Sequence, residues 1–182
     1  MTWIEALILG IIQGLTEFLP ISSSGHLELG KAVLDTSLSQ SLLFTVVVHG
    51  ATVLSIIVVF WKDIASLVSN VFKFEWNDST KYVVKILISM IPVLVVGVFF
   101  KEQVEALFVG NLVLVGIMLI VTAGLLALAY FYNPSNKSVT NKSAFIVGIA
   151  QALAVVPGIS RSGATISTGL LLGAKRKEIT RF

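Results

Sequence analysis

Long apolar runs alternate with short polar segments along this chain, and the runs predict membrane-spanning helices. Three of them, Leu42–Trp61, Val83–Phe100 and Leu112–Tyr132, have about the 20 residues that a helix needs to cross a bilayer. Aromatic residues stand at the ends of these runs, as side chains of the membrane interface do. Pro92 lies inside the second run and predicts a kink there. The polar segments beside the runs are predicted loops: Lys62–Thr80, Lys101–Val109 and Asn133–Lys142.

Two shorter apolar pieces precede these spans. Trp3–Leu19 and Leu27–Leu34 are each too short for an ordinary span. Pro20 ends the first piece, because proline lacks an N–H group and clashes with the preceding turn, and a Ser-Ser-Ser-Gly segment follows shortly after. Two such pieces joined by a polar break predict a re-entrant hairpin over residues 1–34. Irregular backbone at membrane depth then has to be surrounded by protein or by a wet cavity.

The hairpin sequence occurs twice. A shift of 138 residues places Ala6–Gly25 on Ala144–Gly163, and ten of the twenty aligned positions are identical. We interpret this as an internal duplication, with a second re-entrant hairpin over residues 143–174 and three transmembrane helices over residues 40–132 between the two hairpins. Since a hairpin returns to its own side of the membrane, three intervening spans place the second hairpin on the opposite side. The predicted repeat is therefore inverted.

Composition agrees with an all-α, polytopic membrane protein that forms a single domain. Apolar residues make up 55% of the chain and charged residues 13%, with a mean hydropathy of +0.93, whereas soluble domains are about one quarter charged. The absence of cysteine excludes disulfides and thiol catalysis. The net charge is +3 and no basic run is interleaved with aromatic residues, which argues against a nucleic-acid partner.

Lysine and arginine fall mostly on one side of the predicted membrane. Nine lie in Lys62–Lys81, in Asn133–Lys142 and in the basic tail 175–182, whereas two, Lys31 and Lys101, lie on the other side. The positive-inside rule makes the side with nine charges cytoplasmic, so the N-terminus and the first hairpin face outward. A complete inverted repeat would also continue with three more spans after the tail. We therefore expect that this chain is a fragment or the product of a truncated gene.

Two charged residues lie where charge is costly. Glu17 follows Gln13 by one turn, and residues four apart on a helix aim at the same point. Arg161 replaces Ser23 of the first copy in an apolar surround, where a guanidinium requires a carboxylate or phosphate partner. An ionisable group at membrane depth marks a functional site by default. The alternatives are an interfacial Glu17 exposed to water and a structural Glu17–Arg161 ion pair, while Gln13, repeated as Gln151, fits packing as well as ligand contact.

The first polar loop supplies hydroxyl and imidazole groups. Ser22–Ser24 either cap the following helix or act chemically, and a serine needs a neighbouring base to become a nucleophile. Glu17 and His26 are both close in sequence. Ser23 is the candidate nucleophile, because it alone of the repeated serine positions differs between the two copies. His26 is a candidate general acid, general base or structural residue, whereas His49, in the middle of a span, is interpreted as a packing residue and left out of the site.

Each polar loop also precedes a half-helix. The first N–H groups and the positive dipole ends after Ser22–Gly25 and Ser160–Gly163 attract anions, so with Arg161 beside them we expect a phosphate site. The Glu17 carboxylate would repel a diphosphate bound beside it. A divalent cation, Mg or Ca, between Glu17 and the diphosphate would offset this repulsion. Glu17 is then the protein ligand of the metal. The candidate substrate-binding residues are Gln13, Ser22, Ser24, Ser160, Ser162 and Thr165.

These motifs resemble those of a known family. Gln13-Gly-Leu-Thr-Glu17, continued by Phe-Leu-Pro-Ile-Ser-Ser-Ser-Gly-His26, is similar to the Glu/Gln-xxx-Glu element and serine-rich loop of the undecaprenyl-diphosphate phosphatases, the bacitracin-resistance membrane phosphatases. Pro157-Gly-Ile-Ser-Arg-Ser-Gly-Ala-Thr165 is similar to their Pro-Gly-x-Ser-Arg-Ser element. The match covers essentially all 182 residues. The departure is in length, since members of the family continue beyond the point equivalent to Phe182.

The resemblance implies removal of the terminal phosphate from the C55 isoprenyl diphosphate, with a divalent cation assisting, which regenerates the monophosphate lipid carrier for wall polymers. It implies that Glu17 and Arg161 are catalytic, that Ser23 is the nucleophile with His26 as the alternative, and that Gln13 occupies a Glu-or-Gln position. The implied location is the cell (inner) membrane with the pocket open to the periplasmic side, and a homodimer stays open. A lipid-phosphate flippase built on the inverted repeat is the alternative function.

Overall fold

The computed structural model describes residues 1–36, 38–107 and 111–182. Within these ranges the secondary structure is helical apart from one isolated bridge between Lys137 and Ala174, so the all-α prediction is confirmed for the described residues. The helices follow in this order: α1 Trp3–Phe18, α2 Ser23–Val33, α3 Leu38–Val59, α4 Trp61–Val71, α5 Asp78–Phe99, α6 Lys101–Ala106, α7 Leu112–Phe131, α8 Asn141–Leu153, α9 Arg161–Leu171 and α10 Arg176–Ile179.

Two of the described helices, α5 and α7, are each long and apolar enough to cross a membrane. The described part of α3 is a third candidate only together with α4, from which it is bent by 78°. Their outward surface is apolar, with Val113 and Ile120 each 73% exposed. Such a surface is stable in lipid and unstable in water, so the protein is membrane-embedded.

The predicted spans agree with these helices over most of their length. Helix α3, which corresponds to the first predicted span, begins at Leu38, four residues before the predicted start at Leu42. Pro92 lies inside α5, whose helix continues on both sides of it, and the predicted kink stays a prediction. The predicted end of one loop, at Val109, lies outside the described residues.

One predicted loop is wrong, because most of α4 lies within residues 62–80. The segment contains many charged and hydroxyl side chains, which led to the loop prediction. Its apolar residues nevertheless recur at i, i+3, i+4 and i+7, which is the repeat of one helix face. The segment is therefore an amphipathic helix. The shorter α6 likewise occupies most of the described part of the predicted loop Lys101–Val109, and α10 lies in the basic tail. The apolar positions of α4 are Ile64, Leu67, Val68 and Val71.

The two hairpin sequences form two helix pairs on either side of α7. Helix α1 packs against α2 and α3, helix α8 packs against α9 and α5, and α7 contacts both α2 and α9. The contact between α5 and α8 is built on a small residue, since a Cβ atom added at Gly148 would overlap the backbone carbonyl of Ser89. The core beside this contact consists of Ala129, Val139, Ala144, Val147, Leu170, Ala174 and Ile179.

Replacing Gly148 by alanine should therefore separate α5 from α8. The added methyl group meets backbone, which cannot rotate away, so we expect a loss of about 1–3 kcal/mol in the free energy of unfolding. Gly97→Ala, on α5, is the matched control, because a Cβ there meets nothing within 4 Å and alanine is the better helix former. Thermal unfolding in detergent, followed by far-UV circular dichroism, compares the two variants. Equal midpoints for both would contradict this packing.

Candidate active site

The first polar loop joins the end of α1 to the start of α2. The chain leaves α1 after Phe18, and Ser22 adopts a left-handed conformation with φ of 70°, which is uncommon for residues other than glycine. From this position the Ser22 Oγ accepts a hydrogen bond of 3.3 Å from the Gly25 N–H and caps α2. Helix α2 therefore begins at Ser23, four residues before the apolar piece that we predicted from Leu27.

The carboxylate of Glu17 is held by two donors. The Gln13 amide Nε2 donates to Glu17 Oε2 over 3.0 Å, and the Ser23 hydroxyl donates to the same oxygen. Gln13 is only 1% exposed, and its own Oε1 has no hydrogen-bond partner among the described residues. This arrangement leaves Glu17 Oε1 available while it fixes the orientation of the carboxylate. The predicted convergence of Gln13 and Glu17 is therefore present.

The second polar loop starts α9 in the same way. Gly158, with φ of 97°, turns the chain, and the buried Ser160 caps α9 by accepting a 3.0 Å hydrogen bond from the Gly163 N–H. Thr122 of α7 fixes this loop from the side: its hydroxyl donates to the Gly158 carbonyl and accepts from the Ser160 N–H, each over 3.0 Å. The Gly158 carbonyl and the Ser160 N–H of this loop therefore both have hydrogen-bond partners.

The two loops repeat each other in detail. The Oγ atoms of Ser22 and Ser24 lie 3.3 Å apart, and the Oγ atoms of Ser160 and Ser162 lie 3.3 Å apart. In both loops the first of these serines caps the helix through the glycine three residues later. The duplicated sequence therefore builds duplicated local geometry.

The tips of the two hairpins touch. A Cβ atom built at Gly25 would lie 3.0 Å from the Cα of Gly158, and one built at Gly163 would lie 2.9 Å from the carbonyl oxygen of Pro20. Gly25 aligns with Gly163 under the sequence shift, and Pro20 aligns with Gly158. The contact is therefore reciprocal, since each glycine packs on the equivalent position of the other loop.

A cleft of about 690 Å³ opens beside this contact. Eight of the ten predicted site residues line it. Two do not: Gln13, which lies behind Glu17, and His26, whose Nδ1 lies 2.8 Å from the Ser22 carbonyl oxygen. The eight lining residues are Glu17, Ser22, Ser23, Ser24, Ser160, Arg161, Ser162 and Thr165.

The cleft combines a carboxylate with an unpaired guanidinium. In the part of the chain that the structure describes, Arg161 forms no ion pair within 4.0 Å, so the alternative of a structural Glu17–Arg161 pair is not observed there. The first two backbone N–H groups of α2 and of α9, those of Ser23, Ser24, Arg161 and Ser162, also lack acceptors among these residues. Arg161 and two helix N-termini therefore offer donors and positive potential to an anion in the cleft.

A divalent cation fits this donor set only with help from a ligand. The described residues contain no cluster of three or more His, Asp or Glu side chains that could hold a metal ion by themselves. Glu17 supplies one carboxylate oxygen without a partner, and Mg²⁺ in phosphate-handling sites is commonly held by one or two carboxylates plus substrate phosphates. The residues present therefore fit a cation that is bound jointly with a diphosphate.

Sequence reasoning missed one ionisable residue of the cleft. His49 of α3 lines the wall of the cleft, although its position in a span led us to interpret it as a packing residue. The signal was available, because an ionisable side chain at membrane depth is as unusual at His49 as at Glu17. Thr16 and Gln151 also line the cleft.

Comparison with known proteins gives consistent matches over the whole chain. The family model described as "Bacitracin resistance protein BacA" matches residues 6–182. A protein of Bacteroides thetaiotaomicron named undecaprenyl-diphosphatase is 54% identical over 183 residues, which cover 100% of this chain and 69% of that protein. Proteins of the same name from Parabacteroides distasonis and Christiangramia forsetii are 56% and 58% identical, over 100% and 98% of this chain and 69% and 68% of their own lengths.

Thr122→Val should destabilise the second loop. The substitution removes the hydroxyl that serves both Ser160 and Gly158, and an unsatisfied buried backbone group costs about 1–3 kcal/mol. Thr52→Val is the control, because Thr52 is also buried, at 7% exposure, but donates only to the His49 carbonyl within its own helix. Thermal unfolding in detergent should show the larger loss for Thr122→Val. A loss no larger than that of the control would contradict the bridging role of Thr122.

Proposed function

The chain belongs to the bacitracin resistance protein BacA family, and we propose that it hydrolyses undecaprenyl diphosphate in the cleft between its two hairpin tips. The reaction releases inorganic phosphate and leaves undecaprenyl phosphate, the lipid carrier for cell-wall synthesis. Hydrolysis is favoured over the flippase alternative by the name that the relatives share. The observation that supports the proposal is that one cleft contains both the hydrogen-bonded Glu17–Ser23 pair and Arg161, which forms no ion pair among the described residues.

Arg161 and the helix N-termini bind the diphosphate in this proposal. A guanidinium forms two parallel hydrogen bonds with a phosphate, and it does so best where water is scarce. The first N–H groups of α2 and α9 add donors whose positions are fixed by the caps at Ser22 and Ser160. Because these donors are held in place before the substrate arrives, they stabilise the charge that develops on the phosphate oxygens at little cost in reorganisation.

Ser23 is the proposed nucleophile. Its hydroxyl already donates to Glu17 Oε2, so the carboxylate can accept the proton as Ser23 Oγ attacks the terminal phosphorus in line with the bridging oxygen. The Oγ–P bond forms, the bond from phosphorus to the bridging oxygen breaks, and undecaprenyl phosphate leaves. Water then cleaves the phosphoserine and releases inorganic phosphate. Direct attack by water held at Glu17 is the simpler variant, and both place the proton on the same carboxylate.

Gln13 and His26 support this chemistry from outside the cleft. The Gln13 amide holds Glu17 Oε2 through a 3.0 Å hydrogen bond from a fully buried position. His26 binds the Ser22 carbonyl, which supports a role in shaping the loop, and its action as acid, base or alternative nucleophile stays a prediction.

A divalent cation, Mg or Ca, completes the site in our proposal. Glu17 Oε1 would hold it together with the diphosphate oxygens. When bound, it would neutralise charge on the phosphates during transfer. The serines of both loops would orient the phosphate oxygens around it: Ser22, Ser24, Ser160 and Ser162, with Thr165 one turn further along α9.

We further propose that the two hairpins are re-entrant and form an inverted repeat. The reciprocal contacts of Gly25 with Gly158 and of Gly163 with Pro20 support this, because a two-fold relation makes residue i meet j while the equivalent j meets i. The charge distribution supports a cytoplasmic location for the basic tail. The protein then lies in the inner membrane with the first hairpin and the cleft open to the outer side.

Arg161→Ala should reduce the release of phosphate from undecaprenyl diphosphate at least a hundredfold, because the fork that binds the phosphate is lost. Arg161→Lys keeps the charge without the bidentate geometry and should recover only a small part of the rate. Arg176→Ala, at an exposed position of α10, is the control for loss of a positive charge outside the cleft. Purified protein in detergent and a phosphate-release assay provide the rates. Full activity of Arg161→Ala would exclude the proposed anion site.

Excess chelator should stop the same reaction. The donor set of the cleft needs a cation to bring Glu17 and a diphosphate together, so adding Mg²⁺ or Ca²⁺ back should restore the release of phosphate. A chelator saturated with Ca²⁺ before addition controls for effects on the detergent micelle. Undiminished release in excess free chelator would show that Glu17 acts without a metal.

A further inference from the structure

We propose that His49 of α3 is a further substrate-binding residue, which contacts the diphosphate through Nε2 from the wall formed by α3. This inference rests on the proposed function and extends its site to a helix that belongs to neither hairpin. His49 lines the same cleft as Glu17, Ser23 and Arg161. No step described above uses it.

The hydrogen bonding of His49 determines which ring nitrogen is available. Its Nδ1 lies 2.8 Å from the carbonyl oxygen of Thr45, one turn earlier on α3, so Nδ1 carries a proton and donates. Nε2 has no hydrogen-bond partner among the residues that the structure describes. When the ring is protonated, Nε2 becomes a donor as well, and the imidazolium is a second cation beside Arg161 for a multiply charged diphosphate.

A partly buried ion pair lies beside Thr45, the residue whose carbonyl accepts the hydrogen bond from His49. Lys31 of α2 lies 2.9 Å from Glu28 and also donates to Thr45 Oγ1 over 3.2 Å, and the side chains of Lys31 and Glu28 are only 11% and 16% exposed. An ion pair removed from water is costly to build, so it is weak evidence for stability alone. Here it joins α2 to α3 at the residue whose carbonyl orients the His49 ring.

The two histidines of the chain differ in their position relative to the cleft. His26 also binds a carbonyl four residues earlier through Nδ1, but it is not among the residues that line the cleft. His49 is therefore the imidazole of the chain placed to meet a ligand there.

The other charged groups of the cleft are Glu17 of α1 and Arg161 of α9, which line it together with His49. Glu28 and Lys31 of α2 pair with each other, and Lys31 also donates to Thr45 Oγ1 of α3.

The test compares His49→Leu and His49→Gln with wild-type protein in steady-state hydrolysis of an isoprenyl diphosphate. His49→Leu should raise KM about tenfold with kcat changed less than about twofold, since a contact to the substrate is lost without loss of the chemical groups. His49→Gln keeps a side chain that can donate a hydrogen bond, so it should hold KM within about threefold of wild type.

Ser55→Ala, on the exposed face of the same helix, is the control, because the Ser55 hydroxyl donates only to the Ala51 carbonyl and lies outside the cleft. Circular dichroism establishes that each variant is folded. An unchanged KM in His49→Leu, or a fall in kcat alone, would overturn the proposed contact.

Binding of an analogue with a methylene bridge in place of the bridging oxygen separates this inference from the proposed function. Weaker binding of the analogue by His49→Leu than by wild type supports the contact even if neither protein releases phosphate. Equal binding by both proteins rejects it even if both are active phosphatases.

Discussion

The reciprocal contact between the two hairpin tips is the constraint on which the rest of the structure depends. Gly25 packs on Gly158 and Gly163 packs on Pro20 so closely that an added Cβ atom would lie only about 3 Å from the other loop, so the two loops can approach only through glycine. This approach brings the start of α2 and the start of α9 into one cleft. Without it, Glu17 and Ser23 of the first helix pair would lie apart from Arg161 of the second, and no single ligand would meet them all.

Most polar groups of this region have a hydrogen-bond partner, and this lowers the free-energy cost of placing them in a membrane protein. Thr122 serves two backbone groups of the second loop, Ser22 and Ser160 cap their helices, and Gln13 is paired with Glu17. Within the described chain, the Arg161 guanidinium forms no ion pair and the buried Gln13 Oε1 has no hydrogen-bond partner. An anionic ligand in the cleft can pair with Arg161.

Much of this arrangement follows from the sequence. The apolar runs predicted α3, α5 and α7, and the 138-residue shift between the two copies predicted that the serine loops would share one local geometry. Eight of the ten predicted site residues line the cleft, because motifs at helix starts have fixed geometry and side chains four apart on a helix share a face.

The missed helix has a cause in the local pattern, whereas the positions of the two histidines relative to the cleft depend on tertiary packing, which local pattern does not contain. The segment of α4 was predicted to be a loop because the residues of its polar face are of types that are also common in loops. His26 is close in sequence to Ser23, but its ring turns to the Ser22 carbonyl, while His49 reaches the cleft from a distant helix. Sequence distance to a motif is a poor measure of spatial distance once five helices, α3 to α7, lie between the two halves of a site.

The central claim is that the Glu17 carboxylate acts on a phosphate held in the cleft. The most direct test measures the release of inorganic phosphate from undecaprenyl diphosphate by wild-type protein and by Glu17→Gln, which keeps the shape and the hydrogen bonding of the side chain but not its charge or basicity. We predict steady release by wild type and at least a hundredfold slower release by the variant, with the fold of both unchanged. Equal rates for the two proteins would contradict the account, because the hydroxyl of Ser23 would then need another base.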